Sequence, residues 1–322
     1  MLTFASAYRW LAPAGTKSRL TILIFHRVHA HADPLFPGEL DAEAFDARMQ
    51  WVKRWFNVLP LDEAVKRFRT GRLPERPLAI TFDDGYADNA RVAAPILLRV
   101  GLPATFFIAT GFLDGGRMWN DTVIEAVRAA SGPILDLGAL DLGRYPITDS
   151  GSRREAIDRL ITALKDLPSE DRLGKANRVA ESAGARLPTN LMMSSEDVRR
   201  LHASGMTIGA HTVNHPVLTR IADDAARVEI DLGRKRLEGI TGAPVRLFAY
   251  PHGKPEEDYG PRHVQLVREL GFDGAVTTAW GVARHGADPF QLPRFTPWDR
   301  QRWRYGVRLL KNLVEPTRTA AQ

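Results

Sequence analysis

The chain of 322 residues contains no cysteine. Without thiols it forms no disulfide, and any metal site must use His, Asp or Glu. Blocks of like charge are also missing: the net charge of +6 is spread along the chain, so no nucleic-acid-binding arm and no nucleic-acid partner are expected. Hydrophobic residues at 44% and charged residues at 25% are typical of a globular protein and exclude a disordered or fibrous one.

Long apolar runs are absent as well. No window reaches the roughly 18 uncharged apolar residues of a membrane span. The first 20 residues make a poor signal peptide because Tyr8, Arg9 and Trp10 interrupt the apolar run, so we predict a cytoplasmic protein. Residues 303–314 mix basic and apolar types at helical spacing, which fits either a last helix packed on the domain or peripheral contact with a membrane. The sequence leaves the oligomeric state open.

Seven short apolar segments read as β-strands. Most are continuous rather than alternating, as expected for parallel strands buried on both faces. The segments are 20–28, 78–85, 104–110, 207–212, 246–251, 274–278 and 291–296. Helical patterns separate most of them, at 41–55, 87–101, 194–205, 223–242 and 261–271. The alternation predicts a parallel α/β fold, either an open sheet or a barrel.

The alternation is interrupted between residues 112 and 193. No strand pattern appears there, but two helical patterns do, at 121–131 and 152–167. A strand-to-helix loop is where α/β enzymes usually elaborate substrate contacts. We predict one domain over residues 1–322 that carries a helical insertion at 112–193.

Charged side chains gather where the predicted strands end. The second strand ends in Asp83 and Asp84, the fourth supplies His211 and His215, and the first ends in His26. Because the carboxyl ends of parallel strands face one crevice, these side chains would meet there. Two imidazoles and one carboxylate with open positions suit a hydrolytic zinc site. One aspartate would bind the cation, whose charge also tolerates the second carboxylate.

Other acidic and histidine pairs have simpler interpretations. Asp223 and Asp224 begin an amphipathic helix, where acidic side chains complement the helix dipole. His29 and His31 lie in a polar loop and are interpreted as solvated side chains. The HxxxH spacing alone arises often by chance, so it gains weight only together with the strand-end aspartates.

The motifs TFDDGY, HTVNH and FAYPHG in combination resemble the polysaccharide deacetylases of carbohydrate esterase family four. The resemblance implies a distorted (β/α)7 barrel and metal-dependent removal of an acetyl group from a sugar. Carried over to this sequence, Asp83 would be the catalytic base, and Asp84, His211 and His215 would hold one divalent ion. Zn²⁺ is the first expectation for that ion, with Co²⁺, Ni²⁺ or Fe²⁺ as alternatives.

The same resemblance implies substrate contacts. The backbone N–H of His252 would donate to the oxyanion, with Pro251 shaping the turn. Trp280 would form part of the apolar wall around the acetyl methyl, although an ordinary loop or core position is an equal alternative for this side chain.

The sequence departs from the common pattern at two points. Ala249 stands where many members carry an arginine that holds the catalytic aspartate, and the late segment LPRF lacks the histidine that acts as the acid. The opening ILIFHRV resembles the subgroup of biofilm poly-N-acetylglucosamine deacetylases, in which an early-strand histidine takes that role. By this resemblance His26 would be the general acid, and Arg294 would orient Asp83.

We therefore expect a hydrolase that deacetylates N-acetylated sugars of a polysaccharide or of its cytoplasmic biosynthetic intermediate. Two alternatives stay open: a catalytically silent carbohydrate-binding protein on the same barrel, and an amide or ester hydrolase of a non-polymeric substrate. A glycosidase is disfavoured because adjacent aspartates on one strand cannot flank a glycosidic bond at the roughly 5–9 Å separation that this chemistry uses.

Overall fold

The computed structural model describes residues 4–165 and 167–315. The strands within these residues are β1 (Arg19–Phe25), β2 (Asn57–Val58), β3 (Pro77–Phe82), β4 (Thr105–Ile108), β5 (Ile134–Leu137), β6 (Gly143–Pro146), β7 (Thr207–Ala210), β8 (Leu247–Ala249), β9 (Gly274–Val276) and β10 (Ala283–Arg284). The helices are α1 (Phe4–Leu11), α2 (Ala42–Trp55), α3 (Leu61–Arg69), α4 (Ala94–Val100), α5 (Trp119–Ala129), α6 (Ser150–Leu164), α7 (Ser169–Ser182), α8 (Ser195–Ala203), α9 (Asp223–Thr241), α10 (Pro261–Glu269) and α11 (Arg302–Val314).

The central sheet is parallel and curls into a distorted barrel. Its strands follow the order β1, β3, β4, β7, β8, β9, and each neighbouring pair in that series is parallel. The short β2 pairs with β3, and β10 pairs antiparallel with the first residues of β1. This arrangement confirms the predicted α/β class and the distorted (β/α)7 barrel.

The predicted strand at 291–296 is not a regular strand, so that prediction was wrong in detail. Leu292 makes an isolated parallel bridge with Val276, and the Phe295 N–H donates to the Ile22 carbonyl at 2.9 Å. The segment thus crosses between β9 and β1, at the seventh position of the barrel. Pro293 has no N–H to give to a ladder, which explains the irregular pairing.

The strands and helices form where their apolar patterns can be buried. Every residue of β3 is buried, as a strand covered on both faces requires. Helix α2 begins at an Asp41 side chain that accepts a hydrogen bond from the Ala44 N–H. It then turns Phe45, Met49 and Val52 towards the barrel core at helical spacing. Asp223 and Asp224 occupy the first turn of α9, as expected from the helix dipole.

Residues 112–193 form a layer of their own beside the barrel. They contain α5, α6 and α7 and an antiparallel hairpin of β5 and β6. Their apolar side chains make a separate core around Val123, Ile157 and Leu160. The sequence indicated no strand here, and the hairpin corrects that expectation: its strands have four residues each, too few for a recognisable alternation.

None of the described helices combines the length and apolar character needed to cross a membrane.

Candidate active site

A cleft of about 540 Å³ lies at the carboxyl ends of the parallel strands, between the barrel and the insertion. The barrel residues that line it, called the floor below, include His26, Asp83, Asp84, His211, His215 and His252. The insertion residues that line it, called the roof, are Phe112, Met118, Trp119, Asn120, Ile161 and Lys165. The strand-end side chains that the sequence singled out therefore share one cavity.

Asp83 in the floor forms a buried ion pair with Arg294. Guanidinium atoms Nη1 and Nη2 donate to the two carboxylate oxygens of Asp83, each at 2.6 Å. Such a bidentate pair fixes the plane of the carboxylate. Burial raises the pKa of Asp83, but the charge and hydrogen bonds of Arg294 outweigh it, so the net pKa lies below its usual value. Asp83 is ionised at neutral pH.

Arg294 is itself held in place by β3 and by the residue that follows β9. Its Nε donates to the Thr277 carbonyl at 2.9 Å, and its Nη1 also donates to Thr81 Oγ1 at 3.2 Å. Its side chain has no exposed surface. The irregular segment after β10 thus places a buried, hydrogen-bonded cation against Asp83.

Asp84, His211 and His215 form a compact group beside this pair. One ligand atom from each lies within 4.8 Å of the others. The Nε2 atoms of His211 and His215 are each 3.4 Å from Asp84 Oδ1. That oxygen is buried and has no hydrogen-bond partner among the described residues, which would be costly for a carboxylate unless a cation compensates it. The residues present therefore fit a divalent ion.

The two imidazoles differ in their surroundings. Burial lowers the pKa of His215 to about 3, so this ring is neutral and keeps a lone pair for a metal. For His211, burial lowers the pKa but Asp84 and Asp83 outweigh it and raise the net value. His211 Nδ1 lies 2.8 Å from the Ala249 carbonyl, which leaves Nε2 directed towards Asp84. A backbone partner of this kind commonly orients a metal-binding histidine.

The loop that carries both histidines is fixed by α9. Glu229 Oε2 accepts the N–H groups of Val213 and Asn214 at 3.0 and 2.8 Å. A Cβ at Gly233 would lie 2.8 Å from backbone atoms of Thr212, so only glycine lets the helix approach this closely. Glu229 lies outside the motifs, and no sequence pattern indicated its role.

Four non-glycine residues in or next to the floor adopt left-handed backbone angles. Their φ values are 75° at Asp84, 64° at Thr212, 54° at His215 and 59° at His252. Such conformations are uncommon for residues with a Cβ and gather at functional sites, where the surrounding structure enforces them.

His26 belongs to the floor, and its side chain is exposed in the cleft. Asn89 Nδ2 donates to the His26 carbonyl at 2.8 Å from a π-helical turn, Asn89–Ala93, that precedes α4. The ring is therefore accessible to a ligand in the cleft while its backbone is anchored. His29 pairs with Glu39 and lines a smaller recess of about 210 Å³ beside the cleft.

The predicted substrate contacts lie in two places. His252 lines the cleft, its ring centroid 4.7 Å from that of His215, and no acceptor among the described residues takes its backbone N–H. Pro251 is buried, and its carbonyl accepts the Gly253 N–H at 2.6 Å. Trp280 is not among the cleft-lining residues: it is exposed and packs against Trp298 at a centroid distance of 5.9 Å. Its role at an acetyl methyl stays a prediction.

The roof contains features that sequence reasoning missed. Trp119 opens α5, and the Arg172 guanidinium carbon lies 5.0 Å from its ring centroid. Two residues further on, Asp121 is buried and bonded to the Tyr86 hydroxyl at 3.2 Å. Burial, with repulsion from Asp84, raises the pKa of Asp121 to about 7 against the opposing effect of Arg27. The only sequence feature that could have indicated this part of the site is Trp119, an aromatic residue at the start of a helix in the insertion.

Comparison with known proteins identifies the same group of proteins that the motifs indicated. The sequence profile of the polysaccharide deacetylase family matches residues 70–131 and 175–275, about half of the chain. YxkH of Bacillus subtilis, provisionally named a polysaccharide deacetylase, is 32% identical over 93 residues. That match covers 28% of this chain and 32% of YxkH, so it spans only about a third of the relative.

Two solved structures share the fold over most of its length. The Streptococcus pyogenes deacetylase PplD, solved in complex with acetate, has a TM-score of 0.59 and 19% identity, covering 92% of this chain and 99% of PplD. IcaB from Ammonifex degensii has a TM-score of 0.58 and 18% identity, covering 92% of this chain and 98% of IcaB. At these identities the likeness concerns the fold.

Proposed function

Because this chain belongs to the polysaccharide deacetylase family, we propose that it hydrolyses the acetamide of an N-acetylated sugar, in a polysaccharide or its biosynthetic intermediate. The observation that carries the proposal is the ionised Asp83–Arg294 pair beside the Asp84, His211 and His215 group in one cleft. A base beside a metal-ligand set is suited to the hydrolysis of an unactivated amide by an activated water.

Asp83 would act as the general base. Its carboxylate is ionised at neutral pH and held in one plane, so it can accept a proton from a water that attacks the acetyl carbon. A new C–O bond forms as that proton moves to Asp83. Arg294, which does not line the cleft, would act by orienting Asp83.

The remaining roles belong to His26 and His252. The backbone N–H of His252 would donate to the oxyanion, where one preorganised donor is typically worth roughly 3–4 kcal/mol. When the C–N bond breaks, the sugar amine needs a proton, and His26 is the exposed imidazole on the cleft wall that would supply it. Acetate and the free amino sugar are the products.

Asp84, His211 and His215 would hold the divalent ion, with Zn²⁺ the first expectation for this donor set. When bound, such an ion supplies Lewis-acid polarisation of the acetyl carbonyl and lowers the pKa of water. The neutral ring of His215 and the uncompensated oxygen of Asp84 support its binding there.

The insertion would contact the sugar. Its residues form one side of the cleft, and Trp119 offers the aromatic surface on which a pyranose ring can stack. We propose that residues 112–193 act as a substrate-binding roof on a single catalytic domain. The cytoplasmic location remains a prediction of the sequence.

The test is acetate release from N-acetylglucosamine oligomers by the purified full chain, after chelation and after zinc is added back. We expect release only with metal. Asp83→Asn should abolish turnover while leaving zinc binding intact, and Asp84→Asn should weaken zinc binding itself. Normal turnover in both variants would exclude the assignment.

Two other results would redirect the proposal. One zinc bound per chain without acetate release, but with oligomer binding, would identify a catalytically silent carbohydrate-binding protein. Zinc-dependent release from small acetylated amides or esters, but not from oligomers, would identify a hydrolase of non-polymeric substrates.

A further inference from the structure

The C-terminal helix α11 has two apolar faces. One face packs on the barrel through Tyr305, Leu309 and Leu313, which are buried. The opposite face carries Trp303, Val307 and Val314, which are 57%, 37% and 57% exposed. Spacings of four and seven residues place these three in one line along the helix, here called the outer stripe.

The flank of the outer stripe is basic. Helix α11 contains Arg302, Arg304, Arg308 and Lys311 and no acidic residue. Arg308 is neutralised by Asp299, whereas Arg304 and Lys311 are exposed and have no carboxylate within 4 Å among the described residues. An exposed apolar line beside exposed cations is typical of a helix that lies on a lipid surface.

Exposed tryptophans also occur on two segments that contact α11. Trp298 and Trp280 pack together, and the Arg308 guanidinium lies 3.7 Å from the Trp298 ring centroid. Helix α1, whose Tyr8 hydroxyl donates to the Gly306 carbonyl at 2.6 Å, presents a Trp10 that is 82% exposed. Tryptophan favours the interface between water and hydrocarbon, because its ring is apolar and its N–H is polar.

We propose that the outer stripe and its basic flank bind the surface of an anionic lipid bilayer, as a peripheral contact of the folded protein. A second copy of this chain is the less suitable occupant, because pairing two outer stripes about a twofold axis would bring Arg304 and Lys311 of both copies together. Anionic headgroups complement the same cations. This inference does not depend on the proposed catalytic function.

The test is co-sedimentation of the full chain with vesicles of phosphatidylcholine, with and without phosphatidylglycerol. We expect binding to the anionic vesicles that weakens as salt is added, because surface charges are screened. Trp303→Ser combined with Val307→Ser should weaken binding at least about tenfold, and Arg304→Glu combined with Lys311→Glu should remove the preference for phosphatidylglycerol. Circular dichroism checks that each variant folds.

Helix α9 provides a matched control. Val228 and Leu232 have the same spacing of four and are 53% and 51% exposed, but charges of both signs surround them. Val228→Ser combined with Leu232→Ser should leave vesicle binding unchanged. The proposal is overturned if the wild-type chain ignores anionic vesicles, or if the α9 variant loses as much binding as the α11 variant. It is also overturned if light scattering finds a dimer that the Trp303 and Val307 substitutions dissociate.

Discussion

The floor and the roof of the cleft shift the pKa of a buried carboxylate in opposite directions. Asp83 in the floor is clasped by a guanidinium, and its pKa lies below the usual value. Asp121 under the roof accepts a hydrogen bond from the Tyr86 hydroxyl, and burial raises its pKa to about 7 against the opposing charge of Arg27. In the floor the Asp83 carboxylate is kept ionised. Under the roof, the environment of Asp121 favours the neutral form of its carboxyl group. The difference is consistent with the proposal that the barrel carries the catalytic residues and the insertion contacts the substrate.

Removing Arg294, the cation that pairs with Asp83, should have the largest effect on stability. Arg294→Gln leaves Asp83 buried without its partner, and breaking a buried pair in this way typically costs about 3–5 kcal/mol of stability. Urea unfolding of the chelated protein measures the loss. Adding Asp83→Asn to the same chain should recover part of it, since no charge is then stranded. A single variant as stable as the wild type would contradict the role given to this pair.

His26 should matter more than the histidine three positions later. His26→Ala removes the proposed proton donor, and general acids contribute roughly 10²–10⁴ in rate, so kcat for acetate release should fall by about that factor. His29→Ala is the matched control, because His29 pairs with Glu39 at the neighbouring recess. Equal losses in both variants would assign the acid elsewhere.

The close packing of α9 beneath the metal-ligand loop gives a third comparison. Gly233→Ala forces a Cβ to within 2.8 Å of the Thr212 backbone, between His211 and His215, and should weaken zinc binding about tenfold. Gly239→Ala in the same helix meets nothing within 4 Å and should stabilise the protein by up to about 1 kcal/mol. Zinc competition titrations and urea unfolding distinguish the two; unchanged zinc affinity in Gly233→Ala would contradict the packing argument.

The roof should affect binding more than chemistry. Trp119→Ala removes the proposed stacking surface, which should raise KM for oligomers several-fold, on the order of 1 kcal/mol, with kcat nearly unchanged. Ile134→Ala changes an exposed residue of the insertion that does not line the cleft, and it should alter neither constant. If kcat falls in Trp119→Ala while KM holds, the roof takes part in the reaction step.

The floor was predictable because its chemistry sits at strand ends. Asp83, Asp84, His211 and His215 follow buried apolar segments, and parallel topology alone brings such positions together. Arg294 was proposed from the family resemblance, as a replacement for the arginine missing at Ala249, and from the expected closure of the barrel; the structure shows its contact with Asp83 although its segment is not a regular strand. Nothing local to the motifs pointed to Glu229, which supports the histidine loop from a helix.

The roof was harder to predict because long-range packing determines it. The hairpin and α7 gave weak local patterns, and α7 contains Gly174 in its interior. Helix α3 was missed although its buried residues, Leu61, Ala64, Val65 and Phe68, follow helical spacing. The hydrogen bond between Tyr86 and Asp121 joins the barrel to the insertion. The periodicity of apolar residues in a sequence does not predict a long-range contact of this kind.

The pH dependence of stability provides the most direct test of the comparison, because its sign differs between the two carboxylates. Asp121 has a folded pKa near 7, above its unfolded value of about 4, so the wild type loses stability from this group as pH rises between those values. Asp121→Asn should therefore stabilise the chelated protein at pH 8 by on the order of 1–2 kcal/mol, and by little at pH 4.

Asp83, with its lowered pKa, contributes stability that is complete above about pH 4 and lost below it. Asp83→Asn should accordingly destabilise at pH 8, with a penalty that shrinks as pH falls below about 4. Urea unfolding across this pH range measures the change in the free energy of unfolding that each substitution causes. If the two changes vary with pH in the same direction, the contrast between the floor and roof carboxylates is wrong.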